Sequence, residues 1–93
     1  MATEKRLQQY CKTLAKGCGV GFYKLECVGR RGFPDVMLIK GAKIVFVELK
    51  SPAGTGRLSA LQTHRIAELR ELGATVLVVD SFAGVDDVIK SFS

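Results

Sequence analysis

The sequence predicts an α/β fold in which a four-stranded mixed sheet is flanked by helices, in the order α-β-β-β-α-β-α. Three observations lead there. Two apolar runs, residues 36–39 and 44–49, flank the polar turn Lys40-Gly41-Ala42-Lys43, which is the pattern of an antiparallel hairpin. Both faces of that hairpin are apolar, with Met37, Ile39, Ile44 and Phe46 on one and Val36, Leu38, Val45, Val47 and Leu49 on the other, so helices are expected over both. A further apolar strand, residues 75–79, follows a helical segment, which implies parallel pairing with residues 44–50 through a right-handed crossover.

The elements follow in order. Thr3 can cap a first helix whose apolar face is Leu7, Tyr10, Cys11 and Leu14, spaced three and four apart, and Gly17 and Gly19 end it. Residues 22–28 read as the first strand, and Gly29-Arg30-Arg31-Gly32 as a flexible basic loop leading into Pro34-Asp35. In the hairpin, Gly41 at the first central position of a two-residue loop suits a type II′ turn. Lys40 then faces Lys43, Ile39 faces Ile44, and counting outward brings Asp35 opposite Glu48, with Lys50 on the same face. After the loop Ser51-Pro52-Ala53-Gly54-Thr55-Gly56 and Arg57, the capping box Ser59-Ala60-Leu61-Gln62 opens a second helix. Leu58, Leu61, Ile66, Leu69 and Leu72 are expected to point inward from it, with Gly73 closing it in the C′ position. Asp80 and Ser81 turn the chain into a final short helix over residues 85–92.

Ninety-three residues, 47% hydrophobic and 25% charged, are expected to form one domain over residues 1–93, with no room for a separate recognition module. No run approaches transmembrane length and the N-terminus does not resemble a signal peptide, so a cytoplasmic protein without membrane partners is expected. Cys11, Cys18 and Cys27 lack the paired spacing of a zinc site and read as reduced. His64 stands alone on the polar side of its helix, which leaves no Ser/His/Asp triad. The formal charge of +5 is uneven: residues 1–50 hold ten Lys or Arg against four acids, residues 51–93 four against five. A basic surface of this kind suits a polyanion, although excess Lys and Arg also simply aid solubility.

Within the basic half lie Asp35, Glu48 and Lys50, two carboxylates and one ammonium that the register gathers on one face. Opposed like charges destabilise a sheet, so a cation is expected between the acids unless they are merely solvated strand ends. A hard divalent ion takes carboxylate and carbonyl oxygens. Arg30 and Arg31 in the neighbouring loop are suited to forked contacts with phosphate oxygens, or are a solvated loop.

The order and spacing of Gly-x-Pro-Asp ending at Asp35, Val-Glu-Leu-Lys ending at Lys50 and Leu-Ser-x-Leu-Gln ending at Gln62 resemble the VRR-NUC (virus-type replication-repair nuclease) family of the PD-(D/E)XK superfamily. The resemblance spans residues 4–79 and implies a restriction-endonuclease-like core. It also implies metal-assisted phosphodiester hydrolysis leaving 5′-phosphate and 3′-hydroxyl ends, with Asp35 and Glu48 binding Mg2+ or Mn2+, the Leu49 carbonyl as a further ligand, and Lys50 positioning or polarising the attacking water. No organic cofactor is implied. It places Gln62, already explained as a capping residue, near the metal, where it can orient a water or a phosphate. It places Glu4, already explained by helix-dipole complementation, where it can add a direct or water-mediated metal contact. Arg30, Arg31 and Arg57 become the expected nucleic-acid contacts. The substrate expected from standalone members, found in bacteria or phage-infected hosts, is branched DNA, above all a four-way (Holliday) junction nicked by a homodimer. Flap or other structure-specific repair cleavage, a non-catalytic binding module and an RNA substrate remain alternatives.

Overall fold

The computed structural model describes residues 3–53 and 56–93. Helix α1 spans Glu4–Gly17, strands β1, β2 and β3 span Gly21–Lys24, Val36–Lys40 and Lys43–Leu49, helix α2 spans Ala60–Glu71, strand β4 spans Val76–Val79 and helix α3 spans Phe82–Lys90. The predicted element order is therefore the observed one. The sheet runs β1-β2-β3-β4, antiparallel at the first two pairings and parallel at the last.

Local chemistry fixes the ends of these elements. Thr3 accepts a hydrogen bond from the Arg6 amide at the start of α1. Both α1 and α2 end in the same way: Gly19 (φ 70°) and Gly73 (φ 97°) adopt left-handed backbone. The amides of Val20 and Ala74 then reach back to the carbonyls of Ala15 and Leu69, the pattern that satisfies last-turn carbonyls. Gly41 (φ 62°) supplies the tight turn between β2 and β3, and Lys40 pairs with Lys43 and Ile39 with Ile44 as turn chemistry requires.

The core lies on one side of the sheet. Val36, Leu38, Val45, Val47 and Leu49 are buried there against Leu7, Cys11 and Ala15 of α1 and Val85, Val88 and Ile89 of α3. Tyr10 ties the two helices together, donating to Asp86 at 2.6 Å and stacking edge-on against Phe82. Burial pushes the Cys11 thiol up to about 11, so it packs as a hydrophobe rather than a nucleophile.

Four expectations are corrected. The first strand stops at Lys24 rather than residue 28: its ladder ends at the Lys24–Val36 pair, with one further bond from the Leu25 amide to the Asp35 carbonyl, and Val28 is almost fully exposed. The last helix starts at Phe82 because Ser81, not a later residue, caps it. The second hairpin face is only half covered, with Ile44 43% exposed, because α2 packs beside β4 instead of across β2 and β3. Leu61 and Leu72 consequently point outward, and Ile66 is the buried apolar residue of that helix. Of the loop before Arg57, Gly54 and Thr55 lie outside the described residues. Among the described residues no helix is long and apolar enough to cross a membrane.

Candidate active site

Beyond the start of β2, continuing the register places Asp35 opposite Glu48, one step past the pair Val36 and Val47. Asp35 is held at both its main chain and its side chain. Its carbonyl accepts from the Leu25 amide at 2.7 Å, and its Oδ2 accepts from the Leu49 amide at 3.1 Å. The carboxylate thus continues the ladder that its backbone leaves. The N-terminus of α1 brings Glu4 to the same point, and one carboxylate oxygen each from Glu4, Asp35 and Glu48 lie within 4.8 Å of one another.

Glu48 is the electrostatic anomaly. It is 1% exposed, and its Oε1 is buried without a hydrogen-bond partner among the described residues. Its Oε2 is engaged, 3.0 Å from Gln62 Nε2 and 3.3 Å from Lys50 Nζ. Burial, reinforced by the charge of Asp35 and only partly offset by Lys50, pushes the Glu48 carboxyl up to about 7. A buried carboxylate with one unpartnered oxygen, gathered with two further carboxylates, is an oxygen-only donor set that matches a hard divalent cation.

Gln62 resolves the choice posed by its sequence position by serving two structures at once. Its Oε1 accepts from the Ser59 amide at 2.9 Å while Ser59 Oγ accepts from the Gln62 amide, completing the capping box. The same Oε1 also accepts from Lys50 Nζ at 3.0 Å, and Nε2 donates to Glu48. A single amide therefore fixes the separation of the lysine and the buried acid. Gln62→Ala is expected to cost about 1 kcal/mol of stability through the lost capping-box hydrogen bond to the Ser59 amide, measured by urea unfolding. It is expected to lower nuclease turnover by at least about tenfold through loss of Lys50 placement. Equal loss of turnover on replacing Ser59 by alanine would assign the whole effect to the helix cap.

The basic residues are placed less uniformly. Arg30, Arg31 and Arg57 are exposed. Gly32 (φ 80°) lets the loop containing Arg30 and Arg31 press onto α2, where an added Cβ would stand 2.7 Å from the Leu61 carbonyl oxygen. Gly56, next to Arg57 in the chain, packs closely against Lys50 and Ser51. Sequence reasoning overlooked Arg65. It is 9% exposed, donates from Nε to the Arg31 carbonyl at 3.2 Å and pairs with Glu68, so it tethers the basic loop to α2. Its one signal in the sequence is the i, i+3 spacing to Glu68, a pattern shared by many solvated helix faces.

Sheet topology and the converging carboxylates define a nuclease-type α/β domain. The chain belongs to the VRR-NUC family: the VRR-NUC domain model matches residues 2–83. A solved structure described as a VRR_NUC domain is similar throughout, with a TM-score of 0.84, 33% sequence identity and 100% of each chain covered. No curated protein matches the chain.

Proposed function

We propose that residues 1–93 act as one cytoplasmic, metal-dependent DNA endonuclease domain that hydrolyses phosphodiester bonds in branched DNA, most naturally as a homodimer nicking a four-way junction. The observation that carries the reading is the meeting of the Glu4, Asp35 and Glu48 carboxylates, the last buried with an unpartnered oxygen and paired with Lys50. Asp35 and Glu48, with Glu4 and the Leu49 carbonyl, would hold Mg2+ or Mn2+. Bound there, the cation supplies Lewis acidity and positive charge toward the phosphodiester.

The remaining work falls to the chain itself. Lys50, 13% exposed and aimed by Gln62, holds an ammonium where a water attacks phosphorus and offsets the negative charge that develops there. The Leu49 amide and the Gln62 amide keep Asp35 and Glu48 from turning away, so little reorganisation is needed when the substrate arrives. Arg30, Arg31 and Arg57 contact backbone phosphates flanking the cut, a role supported by their exposure and by the fit of guanidinium groups to phosphate oxygens. The two-fold symmetry of a junction favours a two-fold dimer.

The test is cleavage of labelled four-way junction, 5′-flap and linear duplex DNA with and without Mn2+ or Mg2+. Paired, metal-dependent nicks in the junction are expected. Preference for the flap would move the substrate assignment to repair intermediates, and tight, salt-sensitive binding without any cleavage would replace the enzyme by a binding module.

A further inference from the structure

We infer that the cavity between the loop before Asp35 and α2 is a pocket for an unpaired nucleobase next to the cut; this rests on the nuclease reading of the adjoining site. The cavity has a volume of about 450 Å³ and is lined by Arg30, Phe33, Arg65, Glu68, Glu71 and Leu72. That size lies within the range of about 300–1,000 Å³ for small-ligand sites. Phe33 lies two residues before Asp35, and Arg65 follows Gln62 by three residues, roughly 4.5 Å along the helix axis. The pocket therefore adjoins the carboxylates without sharing a residue with them.

Two of its walls, Phe33 and Arg65, are fixed in advance. The Phe33 ring stands edge-on against Phe46, 5.7 Å between centroids. The Arg65 guanidinium is locked by the Arg31 carbonyl and by Glu68. Leu72 is 78% exposed and Glu71 is exposed, and among the described residues neither the Glu71 nor the Arg30 side chain has a hydrogen bond or ion pair to hold it back from a ligand. The chemistry of this lining selects its occupant. Two carboxylates reject a phosphate, and two guanidinium groups reject a basic side chain. A flat, neutral, hydrogen-bonding ring satisfies the lining: it can pack against the Phe33 ring or stack on a guanidinium plane, and its amino group can donate to Glu71. A base inside a duplex cannot reach such a cavity, so the occupant is unpaired, as at a branch point. With its base in the pocket, the same nucleotide presents its phosphate to Arg30 at the rim.

The experiment measures affinity of the full chain for forked DNA in Ca2+. The three unpaired nucleotides nearest the branch are replaced in turn by an abasic residue, and 2-aminopurine at each position reports stacking. At one position the abasic residue is expected to weaken binding about tenfold and 2-aminopurine fluorescence to fall on binding. Phe33→Leu, which keeps the contact with Phe46 apolar, and Glu71→Ala, on the surface, should each erase most of that discrimination. They should leave affinity for the abasic DNA unchanged. Equal affinity for base-bearing and abasic DNA at all three positions, or undiminished discrimination in both variants, overturns the proposal. Metal-dependent cleavage measured in parallel separates the two readings: cleavage without base discrimination removes the pocket alone, and discrimination without cleavage removes the nuclease alone.

Discussion

Asp35→Ala is expected to reduce metal-dependent DNA cleavage by at least about a thousandfold, with little change in DNA affinity at matched salt. Asp35 contributes one of the three carboxylates that meet within 4.8 Å, and its Oδ2 also accepts the Leu49 amide, so its loss removes both charge and alignment. Electrostatic groups placed at the point of developing charge are each worth about 10²–10³ in turnover, and a carboxylate that also retains a cation exceeds that. Lys50→Ala is expected to lower turnover by about 10²–10³ while sparing cation uptake, because the ammonium contacts Glu48 and Gln62 but is no ligand. Steady-state cleavage of a labelled branched substrate together with filter binding checks both. A variant lacking Asp35 that still cleaves at more than a tenth of the wild-type rate would contradict the assignment.

The second large effect is on stability. The Glu48 carboxyl is pushed up to about 7 from an ordinary value of 4.5, so between those pH values the folded chain holds a proton that the unfolded chain releases. The contribution of this group is therefore fully present below about pH 4.5 and lost as pH rises through 7. The loss is on the order of 3 kcal/mol, because each tenfold difference in proton affinity between folded and unfolded chain is worth about 1.4 kcal/mol. Metal-free protein is expected to show a Tm that falls between pH 5 and pH 8. Glu48→Gln keeps a neutral group of the same shape beside Gln62. It should flatten that slope and raise the metal-free Tm at pH 8, while removing cleavage. Adding Mn2+ at pH 8 should raise the Tm of the wild type and leave Glu48→Gln nearly unmoved, since a ligand stabilises only the folded state that binds it. A wild-type Tm that is level across this window would show that Glu48 is not the strained acid its surroundings imply. Stability gained by deleting a buried charge at the expense of activity is the usual trade at a working site.

The hairpin and its acids were legible because a two-residue turn and a period-two alternation leave a single register, and shifting it by one residue would send every side chain to the other face. Gly41 decides the turn, and the pairing of Lys40 with Lys43 carries Asp35 to Glu48 with no freedom left over. The capping role of Ser59 and Gln62 was equally local. Burial was less legible. Leu61 and Leu72 carry the spacing of an inward stripe, yet α2 lies beside β4 and leaves both near solvent, along with half of the Ile44 side chain. Whether an apolar residue is covered depends on the angle at which a distant element docks, and periodicity holds no record of that angle. The bond from the Leu49 amide to Asp35, the Arg65 tether and the orphaned Glu48 oxygen were illegible for a related reason. Each joins residues 14 or more positions apart, or arises from an atom that finds no partner after everything else has packed.

Calorimetric titration of Mn2+ into metal-free protein, with Asp35→Ala and Glu48→Gln alongside, tests most directly whether the meeting of Glu4, Asp35 and Glu48 is a cation site. Saturable uptake by the wild type, released protons at pH 6–7 as Glu48 ionises, and loss of uptake in both variants are the predicted results. Uptake of equal strength in the wild type and both variants, or none in any of them while DNA is still cleaved, would contradict it.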